Sequence, residues 1–149
     1  MTDRTANKPY THFEHTADVG VTFYGRTLED LLRHAAEGLF DLVTDTEKLR
    51  RDDQALSQIV RIQISEDNAG DLLLMWLREL LYLFSTRKVI PVEFLMERIS
   101  DKHIEARITA KIFDAQRHEQ RHEVKAVTRH AFRVGRTSEG WTASVVFDV

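Results

Sequence analysis

Cysteine is absent from the 149-residue chain, which excludes disulfide frameworks, thiolate zinc sites and a cysteine nucleophile. No apolar run approaches the roughly 20 residues of a membrane span, and no N-terminal stretch joins a basic segment to an apolar core. A soluble, cytoplasmic protein is therefore expected. Phosphate loops and dinucleotide fingerprints are also missing, since Gly20 and Gly25 do not compose one. No nucleophile elbow or other activating arrangement supports covalent catalysis. A formal charge of -3 and a pI near 6.2 argue against a protein whose main task is to hold nucleic acid by neutralising phosphates. There is no internal repeat.

What is present suits one domain, with residues 1–8 as a flexible N-terminus and 9–149 as the folded unit. A short strand is predicted from Tyr10 to His15 and a second from Val19 to Tyr24. Thr27 then caps a helix whose apolar set, Leu28, Leu31, Leu32, Ala35, Ala36, Leu39, Phe40 and Val43, keeps helical spacing. Asp30 completes a capping box with Thr27. The charged segment from Asp45 to Gln54 reads as a loop, and Ile59 to Ser65 as a half-buried strand. Asp67 or Asn68 caps a second helix over Leu72 to Phe84, apolar on most of its circumference and hence deeper than the first. Pro91 ends this region and admits extended chain after it.

The remainder is read as strands: Val92 to Ile99, a turn at Asp101-Lys102, and alternating Ile104, Ala106, Ile108, Ala110 and Ile112. A polar loop from Asp114 to Glu123 leads to a strand from Val124 to Val134. A turn near Ser138-Glu139-Gly140 then opens a last strand whose core face is Trp141, Ala143, Val145 and Phe147. The predicted class is α+β: a two-layer sandwich with two helices on one face of a largely antiparallel sheet.

Chemistry concentrates at the two ends of the chain. His15-Thr16-Ala17-Asp18 sets an imidazole, a hydroxyl and a carboxylate at the mouth of a strand, and Asp148 stands beside the Val149 carboxylate. If the terminal strand pairs near the one entered at Val19, these carboxylates crowd together and require a neutraliser. A hard divalent cation (calcium, magnesium or manganese) suits such oxygens, and Lys125, on the outward parity of its strand, could also approach. His15 and His130 could add nitrogen ligands, though a hydrogen-bonded structural imidazole is the simpler reading of each. His118 and His122, at i,i+4 spacing, could clasp a metal from a charged loop. Arg117, Arg121, Lys125, Arg129 and Arg133 recur every four positions, a spacing that shares one face in a helix or a strand, and a solvated face is the simpler reading of that stripe.

Taken together, the chain resembles the archease family. The resemblance rests on Tyr10 to Gly25 around His15-Thr16-Ala17-Asp18-Val19-Gly20-Val21, and on the helix from Thr27 ending in Leu42-Val43-Thr44-Asp45. It continues through Leu80-Leu81-Tyr82-Leu83-Phe84-Ser85, Glu123-Val124-Lys125-Ala126-Val127-Thr128 with His130, and Val145-Val146-Phe147-Asp148-Val149. It implies an accessory protein, not itself an enzyme, that helps an RtcB-type RNA ligase undergo guanylylation from GTP and turn over repeatedly in tRNA splicing and RNA repair. RNA would be met through the ligase. The resemblance also implies a metal site on Asp18 and Asp148 and a functional role for Lys125. The Arg- and His-rich segment 114–123 matches no family motif. Two other readings stand beside it. One is a metal-dependent phosphoester hydrolase with His15 or His130 as general acid/base; the other is an RNA-binding or chaperone-like module using the basic stripe.

Overall fold

A computed structural model describes residues 18–149 of the protein. The predicted strand from Tyr10 to His15 and the N-terminal segment 1–8 lie outside the described residues. The chain runs β1 (Asp18–Gly25), α1 (Leu28–Asp41), α2 (Thr46–Arg51), β2 (Ser57–Ser65), α3 (Ala69–Arg87), β3 (Val89–Ser100), β4 (His103–Ile112), β5 (Ala126–Thr137) and β6 (Gly140–Asp148). The class is α+β, with all strand pairings antiparallel. Among the described residues the strands divide into two sheets of three, in the orders β1-β6-β5 and β2-β4-β3, and the helices are three.

α1 begins where Thr27 Oγ1 accepts the Asp30 N–H at 3.1 Å, satisfying one of the orphan donors of the first turn. Asp30 does not reach back as a capping-box partner; its carboxylate pairs with Arg33 at 3.0 Å. All eight apolar positions predicted for this helix are buried. Asn68, rather than Asp67, caps α3 by accepting the Asp71 N–H at 2.8 Å. Leucines and Trp76 bury most of the α3 circumference, and the Trp76 indole N–H donates to the Leu32 carbonyl of α1 at 2.8 Å. α1 and α3 pack on each other and each touches both sheets, so the sheets share one core.

Three elements differ from the sequence reading. Asp45 to Gln54 contains α2, because Asp45 caps it through the Lys48 N–H, Glu47 pairs with Arg50 and Arg51, and Leu49 is buried. Few apolar residues mark so short a helix, and one anchor suffices. β3 begins at Val89, three residues before Val92, and takes in Pro91. An edge strand tolerates proline, and here the register shifts between Pro91 and Glu93. β5 runs on to Thr137 and is interrupted by a bulge between Thr128 and Arg133, with Ala131 at φ 54. Among the described residues no helix is long and apolar enough to cross a membrane.

Candidate functional site

β6 is the middle strand of its sheet, so its last residue has a neighbour on either side. Asp148 is in register with Asp18 of β1 and with Ala126 of β5. Directly opposed residues of an antiparallel pair point to the same face, with Cβ atoms about 4.5–5.5 Å apart. Phe147, Val127 and Val19 turn toward the core or its margin, so the carboxylates of Asp18 and Asp148 share the outer face. Asp18 is exposed and Asp148 half-buried. Asp148 Oδ1 is buried and has no hydrogen-bond partner among the described residues. A buried carboxylate oxygen without a donor is costly and calls for a cation or a proton.

On the other flank Asp148 faces the small Ala126 of β5. The Lys125 N–H donates to the Asp148 carbonyl at 2.7 Å, which ties the start of β5 to the end of β6. The exposed Lys125 side chain makes no ion pair with Asp18 or Asp148. It precedes β5 and has the parity of the buried Val127, not an outward parity within the strand. The alternation slips because Val124 is buried two residues before Ala126. Val149 is half-buried against the core beside Asp148. His15 lies outside the described residues. His130 sits in the β5 bulge, beyond the Thr128–Val146 pair and away from the end of the strand where Asp148 lies. Among the described residues no group of three or more His, Asp or Glu is placed to hold a metal ion. The carboxylates brought together are those of Asp18 and Asp148.

Arg78 was not among the residues singled out by sequence. Its Nε and Nη2 donate to the Val127 carbonyl at 3.1 and 3.0 Å, capping the outer edge of β5 and holding the strand that flanks Asp148. The available signal was a lone arginine within the leucine-rich stretch Leu72–Leu77 and Leu80–Leu83. Between α3 and β5 a groove of about 390 Å³, lined by Arg78, Tyr82, Ser85 and Lys125 among others, opens beside this end of the sheet. Tyr82 is exposed on it.

The basic stripe dissolves in three dimensions. Residues 117–125 belong to no helix or strand, so the fourfold spacing does not align them. Arg117 donates to Asp52 at 2.7 Å, and Arg121 pairs with Glu119 at 2.6 Å and bonds the Asp41 carbonyl. Neighbouring Glu119, Asp41 and Asp45 raise the Arg121 pKa further. His118 is not poised for metal. Its Nδ1 accepts the Asp114 N–H at 2.9 Å, so Nε2 carries the proton and donates to Asp52 at 2.8 Å. That bond, with the Gln54 N–H and Arg117, outweighs burial and lowers the Asp52 pKa from 3.8 to about 2. Segment 114–123 is thus pinned at two places: Arg117 and His118 to Asp52 at the α2–β2 junction, and the Arg121 and His122 N–H groups to the Val43 and Leu42 carbonyls at the α1–α2 junction.

The model of the Archease protein family matches residues 10–149. The archease of Methanosarcina barkeri is 33% identical over 146 residues, covering 95% of this chain and 97% of that protein. That of Pyrococcus furiosus is 32% identical over 146 residues, with 95% and 99% covered. The solution structure of Methanobacterium thermoautotrophicum protein 1598 aligns with a TM-score of 0.66 at 31% identity, over 92% of this chain and 96% of that one. The crystal structure of a Thermotoga maritima protein called an archease and possible chaperone aligns with a TM-score of 0.67 over 93% and 96% of the two chains. At 18% identity it bears on the fold alone.

Proposed function

The chain belongs to the archease family, and on that premise we propose that it is an accessory protein that activates an RtcB-type RNA ligase in the cytoplasm. It promotes the ligase's guanylylation from GTP and its repeated turnover, and it meets RNA through that partner. The observation that carries the reading is the register that sets Asp18 opposite Asp148, with one Asp148 oxygen buried and without a partner among the described residues. Two carboxylates on one outer face, beside the Val149 end of the chain, fit a hard divalent cation such as calcium, magnesium or manganese. Asp18 and Asp148 would hold the ion, whose chemistry is to neutralise charge on phosphate oxygens. Arg78 and the Lys125 N–H keep the strand ends fixed, and the Lys125 side chain, exposed and without an ion pair among the described residues, would meet an acidic or phosphate group of the partner complex.

Multiple-turnover ligation by a cognate RtcB-type ligase with GTP and manganese tests this, with the protein in substoichiometric amount. Wild type should stimulate; Asp18→Ala and Asp148→Ala, shown by melting to be folded, should not. Absence of stimulation by wild type would end the ligase reading. Turnover of a generic phosphoester by the purified protein would instead favour the hydrolase.

A further inference from the structure

We propose that His118 is a pH-operated switch on segment 114–123: the neutral ring locks the turn at Asp114, and a proton taken up at Nδ1 releases it, reshaping the groove that the turn borders. The inference is independent of the carboxylate site.

The His118 side chain is only 8% exposed, and both ring nitrogens are committed. Nδ1 accepts the Asp114 N–H at 2.9 Å, and Nε2 donates to Asp52 Oδ2 at 2.8 Å. One state satisfies both contacts, the neutral ring with its hydrogen on Nε2. The turn that the ring closes is also held by the Asp114 carbonyl, which accepts the Arg117 and His118 N–H groups at 3.0 and 2.8 Å. Within it the Asp114 carboxylate accepts the Gln116 N–H at 2.9 Å.

A proton from solvent binds at Nδ1, where it sets two N–H groups face to face and deprives Asp114 of its acceptor. The new Nδ1–H needs an acceptor of its own, and the Asp114 carboxylate supplies one by giving up the Gln116 N–H. Asp114 passes from donor to acceptor, and the turn from 114 to 116 re-forms. Asp52, at the end of α2, attracts the charged ring and keeps its bond to Nε2–H in either state, since it stays ionised down to about 2. Arg117, on the same Oδ2 at 2.7 Å, and Lys111 of β4, on the Asp52 carbonyl at 2.8 Å, repel it. Glu119 is turned to Arg121 at 2.6 Å. Phe113, whose ring centroid lies 5.8 Å from that of His118, brings no charge.

The groove is about 570 Å³, and Asp114 and Ala115 line it together with Val43, Phe84 and Phe113. The far end of the segment stays anchored. The Glu119 carbonyl accepts the buried Thr44 hydroxyl at 2.6 Å, and the Arg121 and His122 N–H groups donate to the Val43 and Leu42 carbonyls. None of these three bonds involves a titrating group. Acid therefore moves one side of an aromatic groove about a fixed hinge at 119–122.

Nitrogen-15 NMR of the full chain from about pH 8 to about pH 5, the span in which histidine titrates, reads the switch. At the upper end the His118 ring should carry its hydrogen on Nε2. As it takes up the second proton, protection of the Asp114 and Gln116 amides, corrected for the intrinsic pH dependence of exchange, should fall by about tenfold, the measure of one hydrogen bond. The Arg121 and His122 amides should hold theirs. His118→Asn puts a carbonyl oxygen in place of Nδ1, and Asp114 protection should then be independent of pH. A ring with its hydrogen on Nδ1 at pH 8, a ring still neutral at pH 5, or Asp114 protection unchanged through the His118 titration would each overturn the proposal, and so would the same loss in a folded His118→Asn variant. The wild-type titration decides by itself if that variant does not fold.

Discussion

Asp18 and Asp148 stand directly opposite each other across the β1–β6 ladder, on the face turned away from the core. One Asp148 oxygen is buried and has no donor among the described residues, and two carboxylates so placed repel each other where nothing neutralises them. Asp148→Asn should therefore leave the melting temperature of the metal-free protein unchanged or raised, because it removes repulsion. The same variant should lower affinity for manganese or calcium by about tenfold or more, since affinity follows the charge count of the ligands. Calorimetric titration and melting with and without metal read both effects. A destabilised apo variant with undiminished metal affinity would move Asp148 from the site to the scaffold.

The Asp52–His118 pair makes part of the acid sensitivity. The folded carboxyl titrates at about 2 and the ordinary one at 3.8. The unfolded chain therefore takes up its proton first as pH falls, and the stabilisation, complete above 3.8, is lost as pH drops toward about 2. Glu105, lowered mainly by its hydrogen bond with His103, adds in the same direction. Asp52→Asn should melt below wild type at neutral pH and converge with it in acid. Parallel melting curves across that window would show that Asp52 does not carry this effect.

Arg78→Ala should destabilise by about 1.5–3 kcal/mol, the range for a hydrogen bond to a charged donor, because the Val127 carbonyl at the β5 edge loses both of its guanidinium donors. Amide exchange should quicken at the start of β5, and metal affinity should fall as the strand beside Asp148 loosens. Arg78→Lys, which keeps the charge without the fork, should recover only part of the loss. Unfolding in urea measures the first effect; full recovery by lysine would assign it to charge alone.

Gly140 begins β6 at φ 138, and a Cβ there would meet the Gly25 carbonyl oxygen and Arg26. Gly140→Ala should cost about 1–3 kcal/mol, as expected for a side chain forced into a left-handed conformation. This turn lies at the opposite end of the β1–β6 pair from Asp18 and Asp148. The folded fraction should therefore bind metal as wild type does. An alanine variant of equal stability would contradict the tight approach of the two backbones.

Local order in the sequence determined a good part of this molecule. The spacing from Leu28 to Val43 specified α1 and its buried face, and Thr27 and the pair Asp67-Asn68 marked where helices begin, the structure choosing Asn68. Alternation from Ile104 to Ile112 specified β4, and parity alone put Asp148 on the face opposite Phe147. These signals act over a few residues, through backbone hydrogen bonds and the periods of helix and strand. What lies beyond their reach was decided by packing. Parity names a face but not a neighbour, so only the ladder set Asp18 against Asp148 and Ala126. α2 is held by one buried leucine and its ion pairs, too weak a pattern to read along the chain. The even spacing of Arg117, Arg121 and Lys125 lost its meaning once Asp52, distant in sequence, drew Arg117 and His118 into a loop. Side-chain periodicity records how a segment can bury itself; which segments then meet depends on the shared core, and that exists only when the whole chain is assembled.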